Sequence, residues 1–152
     1  MLNIALFGPP GAGKGTQSKK LVEKYNLTYI ATGDLLRQEI AEGTELGIEA
    51  KTLIEKGKLV PDDMIVQIIE KRISTNPDSK GILFDGFPRT YVQAYILEGL
   101  LMRMNSQLTC MLSLEVPRDL LVQRMLERGK TDGRTDDTLE VIEYRQIGRA
   151  HV

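Results

Sequence analysis

Residues 2–16 read LNIALFGPPGAGKGT. An apolar run, Leu2–Phe7, feeds into Gly8, Gly11, Gly13 and Gly15, four glycines within eight residues, with Lys14 and Thr16 among them. From Lys14 to Tyr25 the chain then reads as a helix with Leu21 and Val22 on its apolar face. Glycine loses more backbone entropy on folding than any other residue, so this density needs a reason. Strand, glycine-rich loop, lysine and helix in that order are the setting of a phosphate-binding loop. Glycines let backbone N–H groups converge on phosphate oxygens without side-chain clash. The helix N-terminus adds partial positive charge. Lys14 brings a full charge that can follow a transferring phosphoryl group, and Thr16 offers a hydroxyl to a magnesium shell. The common pattern places Ser or Thr directly after the lysine, whereas here Gly15 intervenes. Taken alone, the loop says that nucleotide phosphates bind and nothing finer.

Working outward, strands and helices alternate. LTYIAT (27–32), GILFDG (81–86) and LTCMLSLEV (108–116) read as further strands. Helical runs are expected over Asp34–Ala41, Leu46–Lys56, Asp62–Ser74, Thr90–Met104 and Arg118–Arg128, with a last one starting near Thr138. In the run from Asp62, the residues Met64, Ile65, Ile68 and Ile69 recur at helical spacing, and Asp62 and Asp63 suit the positive end of a helix. GKTDGRTDD (129–137) reads as a polar loop. Short apolar strands alternating with helices imply an α/β fold, a mostly parallel sheet flanked by helices on both faces. There is no internal repeat or linker, so residues 1–152 are expected to form a single domain.

Composition narrows the class. With 152 residues, 20 basic against 21 acidic side chains and a net charge of −1, the chain has no general nucleic-acid or membrane-binding character. No apolar stretch reaches the ~20 residues of a membrane span, and no charged leader with a long apolar core opens the chain, so no signal peptide is expected. The single cysteine, Cys110, cannot form an internal disulfide; it reads as a buried core thiol in a reducing compartment, and the cytoplasm is expected.

The charged residues of the loops carry the next inference. Asp85 stands at the carboxyl end of the third strand, where sheets of this class bind ligands, and an acid there can hold magnesium directly or through water. It equally suits a turn or a cap. Arg89 follows and can clamp a phosphate with its planar fork. Arg124 and Arg128 share a helix face. Arg134 lies in the polar loop, Arg145 eleven residues later, and Arg37 in the helix after the second strand. Each alone reads as a surface charge. Together with Lys14 they suit a magnesium–triphosphate facing a monophosphate, roughly four net negative charges. The only histidine is His151, and there is no Ser–His–Asp set or Cys–His pair. A phosphate dianion needs no base, so arginines without a base point to a phosphate acceptor rather than an alcohol. A nucleotide-dependent switch using the same loop remains the competing reading from the residues alone.

GPPGAGKGTQ, TGDLLR, GKLVPDD, DGFPRT with QA soon after, LEVP, RMLERG and GRTDD resemble, in order and spacing, the motifs of adenylate kinases, over nearly all of residues 1–145. The resemblance implies magnesium-dependent transfer of a phosphoryl group from ATP to AMP, giving two ADP, on a P-loop nucleoside-monophosphate-kinase fold. It implies a helical AMP-binding insert at about 31–60 and a short lid at about 127–137 without cysteines for zinc. By that resemblance Gly11, Ala12, Gly13, Lys14, Gly15 and Thr16 hold ATP phosphates. Thr32, Arg37, Lys58, Leu59, Val60, Gly86, Phe87, Pro88, Arg89 and Gln93 line the AMP site. Arg124 and Arg128 approach the phosphates, Arg128 also contacting ATP. Arg134 and Arg145 close on the reacting groups and on AMP, with Asp136 and Asp137 orienting an arginine. Close relatives that phosphorylate UMP or CMP typically carry alanine at Thr32 and asparagine at Gln93, so both positions resemble the adenine-reading form. Both also have bland readings: Thr32 can cap the helix after it, and Thr90 with Gln93 form a T-x-x-Q capping box. Val92 stands where many members have proline. A monomer is expected, because lid and insert must move.

The end of the chain departs from the family pattern, which continues the helix after Arg145 and adds a last strand and helix. QIGRAHV stands there instead. Residues 147–152 read as a translated sequencing adapter, ATC GGA AGA GCA CAC GTC, so the tail is expected to be an artefact. The last strand and helix are expected to be missing, and the fragment to be poorly stable and weakly active or inactive, with LTCMLSLEV as an exposed apolar edge.

Overall fold

The computed structural model describes residues 1–9 and 11–132. The strands are β1 (Leu2–Phe7), β2 (Thr28–Ala31), β3 (Gly81–Asp85) and β4 (Cys110–Ser113). The helices are α1 (Lys14–Tyr25), α2 (Thr32–Glu42), α3 (Glu45–Glu55), α4 (Asp62–Ser74), α5 (Tyr91–Arg103) and α6 (Arg118–Asp132). The strands form one parallel sheet in the order β2-β3-β1-β4. This is the expected α/β architecture. The helix expected from Thr138 and residues 147–152 lie outside the described residues.

Period-2 alternation along the strands builds two cores. On one face Ile30, Ile82 and Phe84 pack with Ile69 of α4 and Leu97, Leu100 and Leu101 of α5. On the other, Ile4, Leu6 and Leu83 pack with Tyr29 and with Leu21 and Val22 of α1. Leu83 stands in register with both Ile4 and Tyr29, so its face is continuous across three strands. Burial on both faces explains why β1 and β3 read as unbroken apolar runs. A third, smaller cluster, Ala50, Met64 and Ile68 with Leu35, Leu36, Leu46 and Val60 around it, belongs to α2, α3 and the start of α4.

Asn3 is fully buried in the middle of β1. Its Nδ2 donates to Ser106 Oγ at 2.7 Å and to the Gln107 carbonyl at 2.9 Å, and its backbone N–H donates to Thr109 Oγ1. A polar side chain inside the sheet thus ties β1 to the turn that launches β4.

Three expectations change in the structure. Cys110 is only half-buried, because among the described residues β4 is a sheet edge, with Met111 62% and Leu112 37% exposed. The exposed apolar edge expected for this strand is present. Thr32 does not cap α2; it is the first helical residue, Ala31 holds the cap position, and no side chain bonds there. Residues 129–132, expected in a loop, continue α6 to Asp132. Helix propensity of the preceding turns carries the helix past Gly129, whose cost is about 1 kcal/mol.

Candidate active site

The site begins where β1 and β3 end. They are neighbours, and the connections that leave them run to opposite edges of the sheet, to β2 and to β4. Such a reversal opens a crevice at the carboxyl ends of the strands, where α/β proteins bind ligands. The glycine loop occupies it. Gly13, with φ 94°, is the cap position of α1, and no side chain caps that end. The first-turn N–H groups are therefore left without a side-chain partner, an arrangement that can receive an anion. Ala12 donates to the Pro9 carbonyl at 3.1 Å, which closes the turn.

Lys14 Nζ lies 3.1 Å from Asp85 Oδ1, so the loop lysine and the strand-end acid meet across the crevice. The other oxygen, Oδ2, accepts a 2.6 Å hydrogen bond from the Tyr29 hydroxyl on β2. Burial, the hydrogen bond to Asp85 and the negative charges of Asp85 and Asp34 push the Tyr29 phenol far above its ordinary value. Tyr29 stays a neutral donor at physiological pH. It reaches the site because β2 and β3 run in parallel register with Ala31 opposite Asp85. Sequence reasoning missed it: within LTYIAT it carries the signal of a strand residue and nothing more.

Arg124 joins the loop from the far side. Its Nη1 donates to the Gly11 carbonyl at 3.2 Å. Gly11, with φ 84°, has no room for a side chain: a Cβ would lie 3.0 Å from both the Leu121 carbonyl oxygen and Met125 Cγ. The loop thus leans directly on α6, whose Leu121 and Met125 are fully buried. Arg128 is the next turn of the same helix.

Arg89 folds back over the end of β3, its Nε donating to the Gly86 carbonyl at 2.7 Å. The Phe87–Pro88 bond is cis, and Phe87 is buried against Phe84 with ring centroids 6.2 Å apart. Phe87 therefore offers the site its backbone, while its ring anchors the turn in the core. Gln93 accepts from the Arg89 N–H at 2.8 Å through Oε1 and donates to Asp62 Oδ1 at 3.1 Å through Nε2. Thr90 caps α5 by accepting from the Gln93 N–H at 3.1 Å. The capping pair expected from T-x-x-Q is present in part: the glutamine reaches back to the Arg89 N–H rather than to that of Thr90.

Arg37 is exposed on α2 and paired with Asp34. Lys58 and Leu59 are exposed in the connection after α3, and Val60 packs on the small helical cluster. α2 is tied to α4 by Glu39, buried on α2, whose carboxylate takes Lys71 Nζ at 2.7 Å and the hydroxyl of Thr44. The hydrogen bonds from Lys71 and Thr44 hold the Glu39 carboxyl below the usual range. Arg134, Arg145, Asp136 and Asp137 lie outside the described residues.

The adenylate kinase family model matches residues 6–147, which include the loop, both strand ends and α6. The chain belongs to the adenylate kinase family. Its similarity to individual members is high: 50% identity over 145 residues to the adenylate kinase of Bacteroides thetaiotaomicron, covering 95% of this chain and 77% of that protein. Identity to the Flavobacterium psychrophilum adenylate kinase is 53% over 137 residues, 90% of this chain and 72% of that one. Against the Porphyromonas gingivalis adenylate kinase it is 50% over 145 residues, 95% and 75%. The matched residues include the glycine loop after β1, Asp85 at the end of β3 and the helices α2 and α3 that follow β2. Among the described residues no helix is long and apolar enough to cross a membrane.

Proposed function

We propose that this chain catalyses reversible phosphoryl transfer from ATP to AMP, giving two ADP. The observation that carries the reading is the contact of Lys14 with Asp85 at 3.1 Å across the ends of β1 and β3, in a chain of this family. ATP phosphates rest on the backbone N–H groups of Gly11, Ala12, Gly13, Lys14, Gly15 and Thr16, with Lys14 following the transferred group. AMP occupies the other side of the crevice. Arg37 and Arg89 take its phosphate, and Thr32, residues 58–60, the turn Gly86–Pro88 and Gln93 surround its base and sugar. Arg124 and Arg128 from α6, with Arg134 and Arg145, neutralise the charge that gathers as the two phosphates meet. A lid at about 127–137, beginning in the last turns of α6, and an insert at about 31–60 exclude water.

The residues present fit magnesium. Thr16 and Asp85 supply hard oxygen donors, and no group of three or more acidic, histidine or cysteine side chains gathers among the described residues. That donor set suits an ion held by one or two protein oxygens plus substrate phosphates. When bound with ATP, magnesium neutralises phosphate charge. Asp85 is held ready for it by Tyr29 on one oxygen, while Lys14 occupies the other. We also read the chain as a cytoplasmic monomer, supported by its one cysteine and by an insert that needs room to move.

The test is coupled detection of ADP from ATP with AMP, UMP, CMP or GMP as acceptor. AMP-dependent ADP formation with AMP the preferred acceptor is the expected result. Tight ATP binding without acceptor-dependent turnover would overturn the reading in favour of a nucleotide-binding switch.

A further inference from the structure

We propose that Asp62 sets the orientation of the Gln93 amide, and that this orientation makes the acceptor site take adenine and reject a 6-oxopurine. The inference rests on the reading of Gln93 as facing the acceptor base. Asp62 opens α4 and Gln93 lies in the first turn of α5, so the two are joined only by tertiary packing. Gln93 Nε2 donates to Asp62 Oδ1 at 3.1 Å, and Oε1 accepts from the Arg89 backbone N–H at 2.8 Å. A carboxylate only accepts and a backbone N–H only donates. Turning the amide over would set oxygen against oxygen at Asp62 and N–H against N–H at Arg89. Both bonds would be lost and both contacts would repel. The backbone beneath is fixed as well, because Thr90 holds the Gln93 N–H.

Each atom of the amide retains one further position: an N–H on Nε2 and a lone pair on Oε1. An amide so arranged complements adenine, whose 6-amino group donates while the neighbouring ring nitrogen accepts. A 6-oxopurine reverses both: its oxygen accepts and its N1–H donates. It would need the overturned amide that Asp62 and Arg89 disfavour. A base whose monophosphate is held at Arg37 and Arg89 cannot turn over to compensate. Asp62 is therefore a positioning residue for specificity, acting through Gln93.

The experiment is calorimetric titration of the full chain with AMP and with inosine monophosphate, which differ at the 6-position and N1. Four proteins are compared: the parent, Asp62→Asn, Asp63→Asn and Gln93→Leu. The parent is expected to bind AMP the more tightly. Asp62→Asn is isosteric and can donate as well as accept, so the AMP preference is expected to fall about tenfold, the value of one charge-assisted hydrogen bond. Asp63→Asn removes an equivalent charge from the first turn of α4, where Asp63 is exposed, and is expected to keep the parent's preference. An unchanged preference in Asp62→Asn, with the preference lost in Gln93→Leu, would overturn the role of Asp62 and leave the base contact standing. An unchanged preference in Gln93→Leu, or a parent that does not bind AMP, would instead count against the AMP-site reading. A second measurement needs no nucleotide: of the two Gln93 side-chain amide protons, the one bonded to Asp62 is expected to exchange more slowly with solvent than its partner in the parent, and to lose that difference in Asp62→Asn. Equal, fast exchange of both protons in the parent would overturn the proposal.

Discussion

The glycine loop after β1 and the helices α2 and α3 after β2, which the proposed function makes the donor and acceptor sides of one site, are held by different forces. The loop stands on β1, where Ile4, Ala5 and Leu6 are at most 3% exposed, and it leans on α6 through the backbone of Gly11. The insert has its own small cluster around Ala50, Met64 and Ile68, and a buried carboxylate, Glu39, fastens α2 to Lys71 of α4. A strand buried like β1, on which the loop stands, opens only at nearly the full cost of unfolding. An element fastened by a few side chains opens for less. On the proposed function, the contrast gives the donor phosphates a fixed cradle and the acceptor end a part that closes.

The largest expected effect tests the cradle. Lys14→Ala should lower turnover by about a thousandfold or more, through lost stabilisation of the transferring charge. The midpoint of thermal unfolding should stay nearly constant, since the side chain is partly exposed at the crevice. A variant that keeps its turnover would break the comparison at the loop.

Next comes the crossing of α2 and α3. A Cβ at Gly47 would lie 2.0 Å from the Glu39 carbonyl oxygen, and backbone on both sides leaves little room to yield. Gly47→Ala should destabilise by about 3 kcal/mol, as overpacking does. Measured by titration, AMP affinity should fall much further than ATP affinity. Equal losses for both nucleotides would show that insert and sheet respond as one body.

Glu39 sharpens the same point through pH. Its carboxyl is depressed in the folded state by Lys71 and Thr44, so its contribution is present above the ordinary Glu value of 4.5 and is lost as pH falls through the folded value. Glu39→Gln should cost about 1 kcal/mol at neutral pH, because Lys71 is 49% exposed and the pair is screened. The cost should shrink on acidification. A cost independent of pH in denaturant unfolding would assign it to packing instead.

The smallest effect concerns Tyr29→Phe, which removes the 2.6 Å hydrogen bond to Asp85 while keeping the ring. About 1 kcal/mol of stability is expected to go. The Tyr29 phenol is raised in the folded state, so its contribution is present below the ordinary value of 10 and is lost as pH rises through the folded value. An alkaline unfolding profile identical in Tyr29→Phe and parent would remove Tyr29 from the account of the loop's setting.

Several of these features were written locally in the chain. Four glycines around Lys14, after an apolar run and before a helix, specify backbone donors, and a loop closing on near neighbours needs no distant information. The strands β1 and β3 were visible for the same reason: burial on both faces leaves an unbroken apolar run. Asp85 was visible only as a choice between ligand and turn residue. Arg124 was visible as a charge, but its hydrogen bond to Gly11, 113 residues away in sequence, was not.

The sequence alone determined the alternation of strands and helices, the glycine-rich loop and the supply of cations, because each depends on residues within a few turns of one another. Tertiary structure decided that Tyr29 holds Asp85 opposite Lys14, that Glu39 fastens the insert to α4, that Asp62 meets Gln93, and that Cys110 lies half-open at an edge. The first three are pairings of polar groups brought together from separate strands, loops or helices. No local periodicity marks them, since a hydrogen bond depends on where two chain segments are brought together, not on how far apart they stand along the chain.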